Sequence, residues 1–310
     1  MKFTAPAAAL REAVGVAAGA VAGRTTKPIL ACVKVEAAGD ALTLTATDLE
    51  VTLALAVPGV RVDRPGAAVL PAAKLNELLR AAGDADVAVD AAGEAATVRA
   101  GAARYDLPTH DPAEFPAEAG PDPEAAGSAH EVTAGVLRGL LKRTAFAADR
   151  REGTRFAVAC VLWEAEPGRV RLVATDTRRM AVCEGPAEVA GEGTGTRQHL
   201  VPLKAVGLLE RLLADDGEAV RVVLRPNAAE FRTERATLTA RLVDGKFPPY
   251  RSILPKKLDH AIDLPTGEFL ARVRQAAIMT DAEAKRVDLR FGMGGVTLAA
   301  KGAETGASEV

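Results

Sequence analysis

The chain has 310 residues, 48% of them hydrophobic and 26% charged, with a formal net charge of -2. On a rough prior of one domain per ~150 residues this is enough for two or more globular domains with a real core. The small net charge excludes a polycation, so any nucleic-acid contact has to be a local patch, and 4% aromatic residues argue against a surface that binds single strands by base stacking.

The amino terminus, MKFTAPAAALREAVGVAAGAVAG, sets Lys2 ahead of an alanine-rich run. Arg11 and Glu12 interrupt that run, and the remainder falls short of the roughly 20 residues that span a bilayer. It reads as an amphipathic helix belonging to the fold, with a threonine, Thr4, placed to act as N-cap. No other segment approaches membrane length, and the expectation is a cytoplasmic protein. The stretch ALTLTATDLEVTLALAV alternates Leu42, Leu44, then Val51, Leu53, Leu55 with polar or small residues, the period of strands with one buried face. LPAAKLNELLRAAGD follows, with Leu75, Leu78 and Leu79 at helical spacing, Pro71 near the first turn and Gly83 near the end. A Pro/Gly/Ser-rich linker is expected at Gly120–Ala129.

The chain then repeats itself. ILACVKVEAAGDALTLTATDLE, from Ile29, aligns with AVACVLWEAEPGRVRLVATDTR, from Ala157, so that Cys32 meets Cys160 and Asp48 meets Asp176. VLPAAKLNELLRAAGD meets LVPLKAVGLLERLLADDGE, and Phe115-Pro116 stands opposite Phe247-Pro248. VTAGVLRGLLKRTAFAA opens the second unit as FTAPAAALREAVGVAAGAV opens the first, with Thr133 as its N-cap candidate. Asp244-Gly245 carries a hairpin-turn signal near the end of unit two. A third copy begins at IDLPTGEFLARVRQAAIM and runs through VDLRFGMGGVTLAAKG, covering roughly 50 of the ~130 residues of the period. The division expected is therefore 1–119, 129–256 and 260–310, each unit an α+β arrangement with more strands than helices.

Individual residues offer little chemistry. Cys32, Cys160 and Cys183 lie in apolar, strand-like runs without metal-ligand spacing and read as buried thiols. His110, His130, His199 and His260 fall in no triad or zinc pattern and read as solvated loop residues. GMGGV, from Gly292, lies between strand-like segments and reads as a hairpin, because a phosphate loop would have to open a helix. Asp48 and Asp176 lack a second carboxylate or histidine at a repeating offset, so an aspartate closing a turn through its own backbone accounts for both. The stretch RLVATDTRRMAVCEG shares ATD with its earlier copy, TLTATDLEVTLALAV, and diverges from it just after, where TRRM stands in place of LEV. That is where a function added to one copy would lie, unless it is simply a packed edge strand.

With three such units, ATD early in two of them, VP opening a helix and LVDGKFPPYRSILP closing unit two, the whole chain resembles the bacterial DNA polymerase III beta subunit family, the sliding clamps. The resemblance implies a clamp fold, repeated units of two helices packed on antiparallel sheets, with the third unit incomplete. It implies a non-enzymatic processivity factor that needs no cofactor or metal, closes head to tail as a homodimer ring around duplex DNA without regard to sequence, and tethers the polymerase catalytic subunit and the clamp loader through short peptides. Carried over by position, the peptide pocket would use Val158, Thr175, Thr177, Arg179 and Met180 with Pro248 and Ile253. Ser252 stands where the family often has a basic residue, and the family's C-terminal tail, which completes that pocket, has no counterpart in the sequence. Ring-lining elements would present Arg24, Arg138, Lys142, Arg150 with Arg151, and Lys204 to DNA, charges that otherwise read as a solvated helix face. The ring contact would join Lys74, Arg99, Arg104, Tyr105 and Leu107 on one side to Ile278, Met279 and Glu304 on the other. Two rivals stay open: a clamp-like scaffold that binds peptides without closing, and an enzyme with a site at Asp176 and Arg179.

Overall fold

The computed structural model describes residues 1–116, 127–150, 158–190, 198–257, 259–281 and 285–310. Repeat one runs β1 (Lys2–Ala5), α1 (Ala7–Ala17), β2 (Cys32–Ala38), β3 (Ala41–Thr47), β4 (Val51–Val57), β5 (Arg61–Arg64), β6 (Gly66–Pro71), α2 (Ala72–Ala81), β7 (Val87–Ala92), β8 (Ala95–Ala100) and β9 (Ala103–Pro108). Repeat two restates it as β10 (Ser128–Thr133), α3 (Ala134–Thr144), β11 (Cys160–Glu166), β12 (Arg169–Thr175), β13 (Met180–Pro186), β14 (Glu188–Ala190), β15 (His199–Pro202), α4 (Leu203–Leu212), β16 (Ala219–Leu224), β17 (Ala228–Arg232) and β18 (Ala236–Arg241). The helices form where apolar residues recur at three and four: Leu137, Leu140 and Leu141 of α3 are buried, as are Leu75, Leu78 and Leu79 of α2. Pro71 takes the N-cap position of α2, and Gly83, at φ +65°, follows its C-cap residue Ala82 in the left-handed region that a side chain disfavours.

Each repeat contributes a four-stranded and a five-stranded antiparallel set, and these are joined across the repeats. Repeat one has a free five-stranded sheet, β5-β1-β7-β8-β9, and repeat two a free four-stranded sheet, β13-β12-β11-β15. The remaining sets fuse into nine strands, β14-β10-β16-β17-β18-β4-β3-β2-β6, through the β18–β4 ladder that sets Leu238 against Leu53 and Thr239 against Thr52. The helices make a second layer, α1 packing on α2 and α4, and α3 on α4. One apolar core therefore runs through both repeats, which is why Met1–Pro248 form a single compact unit.

The second compact unit, Pro249–Val310, holds α5 (Tyr250–Ile253), α6 (Thr266–Ala276) and the sheet β19 (Asp288–Gly292), β20 (Gly295–Gly302), β21 (Gly306–Glu309). Gly292 pairs with Gly295, so GMGGV is the hairpin its sequence announced. This unit buries little: Ala276 is the buried residue of α6, while Leu270, Ile278, Leu289 and Phe291 are exposed.

Several expectations need correction. His130 and His199 are not solvated loop residues; they sit on β10 and β15 and are 2% exposed, because their strands turn these positions inward. Cys183 is only half-buried, on the edge strand β13, although Cys32 and Cys160 are buried. Thr4 lies within β1 and Pro6 takes the N-cap place of α1; Thr133 does hold that place on α3, but its side chain makes no capping bond. Asp244-Gly245 forms no hairpin and lies in the irregular stretch between β18 and α5, since the chain leaves the sheet there. The linker lies outside the described residues except for Gly127–Ala129, as does Arg151. Among the described residues no helix is long and apolar enough to cross a membrane.

Candidate peptide-binding and DNA-facing surfaces

The two ATD turns are built alike. In repeat one Asp48 Oδ1 accepts the Glu50 and Val51 amides at 2.9 and 2.7 Å, and Thr47 Oγ1 accepts the Leu49 amide at 3.0 Å while donating to the Val51 carbonyl at 3.1 Å. In repeat two Asp176 Oδ1 accepts the Arg178 and Arg179 amides at 3.0 and 2.9 Å, and Thr175 Oγ1 accepts from Thr177 at 3.0 Å and donates to the Arg179 carbonyl at 2.7 Å. Both turns force a side-chain-bearing residue into the left-handed region, Leu49 at φ +78° and Thr177 at φ +74°. The backbone amide of Arg179, with other donors in that turn, holds the Asp176 carboxyl below its ordinary value. Asp176 is a fixed acceptor, and its oxygens are occupied.

The turns differ in the cation that fills them. Asp48 Oδ2 receives Lys204 Nζ at 2.6 Å, from the start of α4 in the next repeat, and the same ammonium donates to the Ala20 and Val21 carbonyls at 3.0 Å each. In repeat two the slot is filled from within: Arg179 Nε donates to Asp176 Oδ2 at 3.0 Å and Nη2 to the Phe146 carbonyl at 2.9 Å, and the guanidinium carbon lies 5.6 Å from the centre of the Phe146 ring. Phe146 is itself 50% exposed. Copy one is thus closed by its neighbour, whereas copy two presents an arginine stacked on an open phenyl ring.

Around that lip the structure gathers Thr175, which is buried, Thr177 and Arg179, which are exposed, and Met180, half-buried where β13 begins opposite Thr175. Val158 is buried and joins through its carbonyl, which accepts the Asp149 amide at 3.0 Å just beyond the Phe146 turn. Pro248 is half-buried after Phe247, whose amide donates to Gln198 Oε1 at 2.9 Å. Ile253 stands exposed on α5 of the second unit, where Ser252 Oγ donates to the Pro249 carbonyl at 2.7 Å. Phe146 escaped the sequence reading. The signal was an aromatic residue in an otherwise small-residue segment, at a place where repeat one has Gly19.

Models of the DNA polymerase III beta subunit match this chain twice, the N-terminal domain over residues 1–119 and the central domain over residues 131–249. The chain belongs to that family. It is a beta sliding clamp for DNA polymerase, hence a non-catalytic processivity subunit, and the α+β clamp fold is the one observed. The beta sliding clamp of Escherichia coli (strain K12) is 31% identical over 290 residues, which are 93% of this chain and 77% of that protein. That of Caulobacter vibrioides (strain NA1000 / CB15N) is 30% identical over 313 residues, 99% and 82%. Among solved structures, the sliding clamp from Pseudomonas aeruginosa bound to griselimycin superposes with a TM-score of 0.88 at 30% identity, over 100% of this chain and 83% of that one. The clamp from Bacillus subtilis does so with a TM-score of 0.86 at 25% identity, over 100% and 83%.

Two of the charges read as DNA-facing are engaged by acceptors of the protein itself. Lys204 is half-buried on its three acceptors, and Arg138 donates to the Leu213 carbonyl at 2.9 Å and to Asp216, closing the end of α4. A cation so bonded has little left for a phosphate. Arg24, Lys142 and Arg150 are exposed. Of the residues expected at a ring contact, Arg99 and Arg104 are register partners on β8 and β9, and Tyr105 and Leu107 continue along β9, an edge strand. Lys74 is on α2, paired with Glu77 at 3.0 Å. In the second unit Thr305 Oγ1 donates to the Met279 carbonyl at 3.0 Å, which brings the loop holding Glu304 onto the turn of Ile278 and Met279.

Proposed function

We propose that this clamp encircles duplex DNA as a head-to-tail homodimer and tethers the polymerase catalytic subunit and the clamp loader by docking their short peptides at the Thr175–Met180 turn of repeat two. The observation that carries the docking reading is the contrast between two otherwise equivalent turns, one sealed by Lys204 and one displaying Arg179 on Phe146. An exposed ring beside a cation suits an aromatic or leucine anchor with an acidic or polar flank. The peptide site would use Val158, Thr175, Thr177, Arg179, Met180 and Pro248, to which Phe146 is added. Arg24, Lys142 and Arg150 would meet phosphates, in few and sequence-independent contacts that permit sliding. The edge strand β9, with Tyr105 37% exposed, supports the ring contact assigned to Arg99, Arg104, Tyr105 and Leu107. Division into clamp domains at 1–119, 129–256 and 260–310 belongs to the same reading.

The test is retention of the purified protein on nicked circular DNA and its loss on linearisation, with the mass measured in parallel. A dimer held by circles and released by linear DNA is the expected result. A monomer retained on neither form would leave the scaffold reading in its place.

A further inference from the structure

Trp163 of β11 and His130 of β10 join the two sheets of repeat two, since β11 lies in the four-stranded sheet and β10 in the nine-stranded one. Trp163 is fully buried and donates its Nε1–H to His130 Nε2 at 3.1 Å. Indole nitrogen can only donate, so His130 Nε2 must be bare and the ring's single proton must sit on Nδ1. A second proton has one place to go, Nε2, where it would point at the Trp163 N–H. Protonation and the Trp163–His130 bond are therefore mutually exclusive.

The surroundings offer the charged ring nothing in return. His130 stands opposite Val222 on β16, with Trp163 against it at a centroid distance of 5.9 Å and the Phe231 ring of β17 tilted against Trp163 at 5.3 Å. His130 Nδ1 has no hydrogen-bond partner among the described residues. The titratable group that bears on it electrostatically is His199 of β15, a second buried imidazole, which opposes the charge. Glu131 and Arg221 occupy exposed alternate positions on β10 and β16, and Glu164, next to Trp163 on β11, pairs with Arg171.

We propose that the His130–Trp163 pair is an acid-sensitive lock between the two sheets of repeat two, closed while the imidazole is neutral and released when it takes a proton. Burial, and then His199, lower the proton affinity of the closed ring from the ordinary 6.5 to about 4. Opening therefore takes up a proton throughout the window from about pH 6.5 down to about 4. The lock has its full strength above that window and weakens as pH falls through it. Because β11 and β12 share a sheet, release would also loosen the Thr175–Arg179 turn.

Trp163 is the sole tryptophan, so its emission reads the lock directly. Urea unfolding of the full chain followed by Trp163 fluorescence should show the unfolding constant rising roughly 30-fold between pH 7.5 and pH 5 beyond the change in His130→Gln, whose amide oxygen still accepts the indole N–H but does not titrate. Ring resonances of the wild-type histidines give a second measurement should that variant fail to fold: His130 should remain neutral at pH 5 for as long as the Trp163 signal stays native. The proposal is overturned if His130→Gln follows the wild-type pH profile, or if His130 takes its proton in the folded protein with the Trp163 emission unmoved.

Discussion

Thr177 shows how one residue carries both architecture and strain. Its φ of +74° costs a β-branched side chain energy that glycine would not incur, and Thr177 keeps it because Thr175 and Asp176 bind the backbone on either side. Thr177→Gly should raise stability by roughly 0.5–1 kcal/mol, the relief of strain outweighing glycine's greater loss of chain entropy; urea midpoints of the two proteins would decide it, and a fall would show that the side chain has a role in the turn. The cysteines make a second residue-scale prediction. Burial pushes the Cys160 thiol up to about 12 and raises that of Cys32, so both stay protonated at pH 8, whereas Cys183 lies half-buried on an edge strand. Alkylation of the native protein followed by mass spectrometry should mark Cys183 first, and early labelling of Cys160 would contradict the burial. The ATD motif could be read as structural from its repetition alone. Burial of His130 could not, because a histidine in an alternating strand gives no sign of which face it occupies until the partner sheet is in place.

Between elements, basic side chains close the ends of neighbouring helices. Arg11 of α1 donates to the Leu79 carbonyl at the end of α2 at 2.8 Å, Arg138 of α3 does the same for α4, and Arg211 of α4 reaches back to the Gly15 carbonyl of α1 at 2.6 Å. Unpaired carbonyls gather at a helix end, and a guanidinium there satisfies both the hydrogen bond and the dipole. Lys204 does comparable work across the repeat boundary. Lys204→Ala should lower stability by about 2 kcal/mol by leaving Asp48 and two carbonyls without their donor, whereas Lys142→Ala should leave stability within about 0.5 kcal/mol, weaken DNA retention at low salt and make it fall less steeply with salt than the wild type's. Denaturation midpoints and a salt series of retention on nicked circles separate the two roles; equal effects of both changes on stability would refute the division. From sequence these lysines are alike, each a cation on a helix. Only the packing of α4 against α1 makes one of them internal.

At the scale of the molecule, fusion of repeats one and two into nine strands leaves β9 as the edge of the separate five-stranded sheet. An edge with Arg99, Arg104 and Tyr105 on or beside it is a place for a partner strand, and a charge set into its apolar part should block pairing. Tyr105→Asp is expected to give a monomer by sedimentation that folds normally and is lost from nicked circles. A dimer that survives the change would place the ring contact elsewhere.

The repeat, the alternation of helices and strands within it, and the point where the copies diverge are legible in the amino-acid order, because periodicity and local turn chemistry are written in neighbouring residues. The packing of elements against one another sets Lys204 on one turn and Arg179 with Phe146 on the other, Arg138 on the end of α4, and His130 against Trp163. Each of these joins residues far apart in the chain, and which face of an element is covered depends on what packs against it.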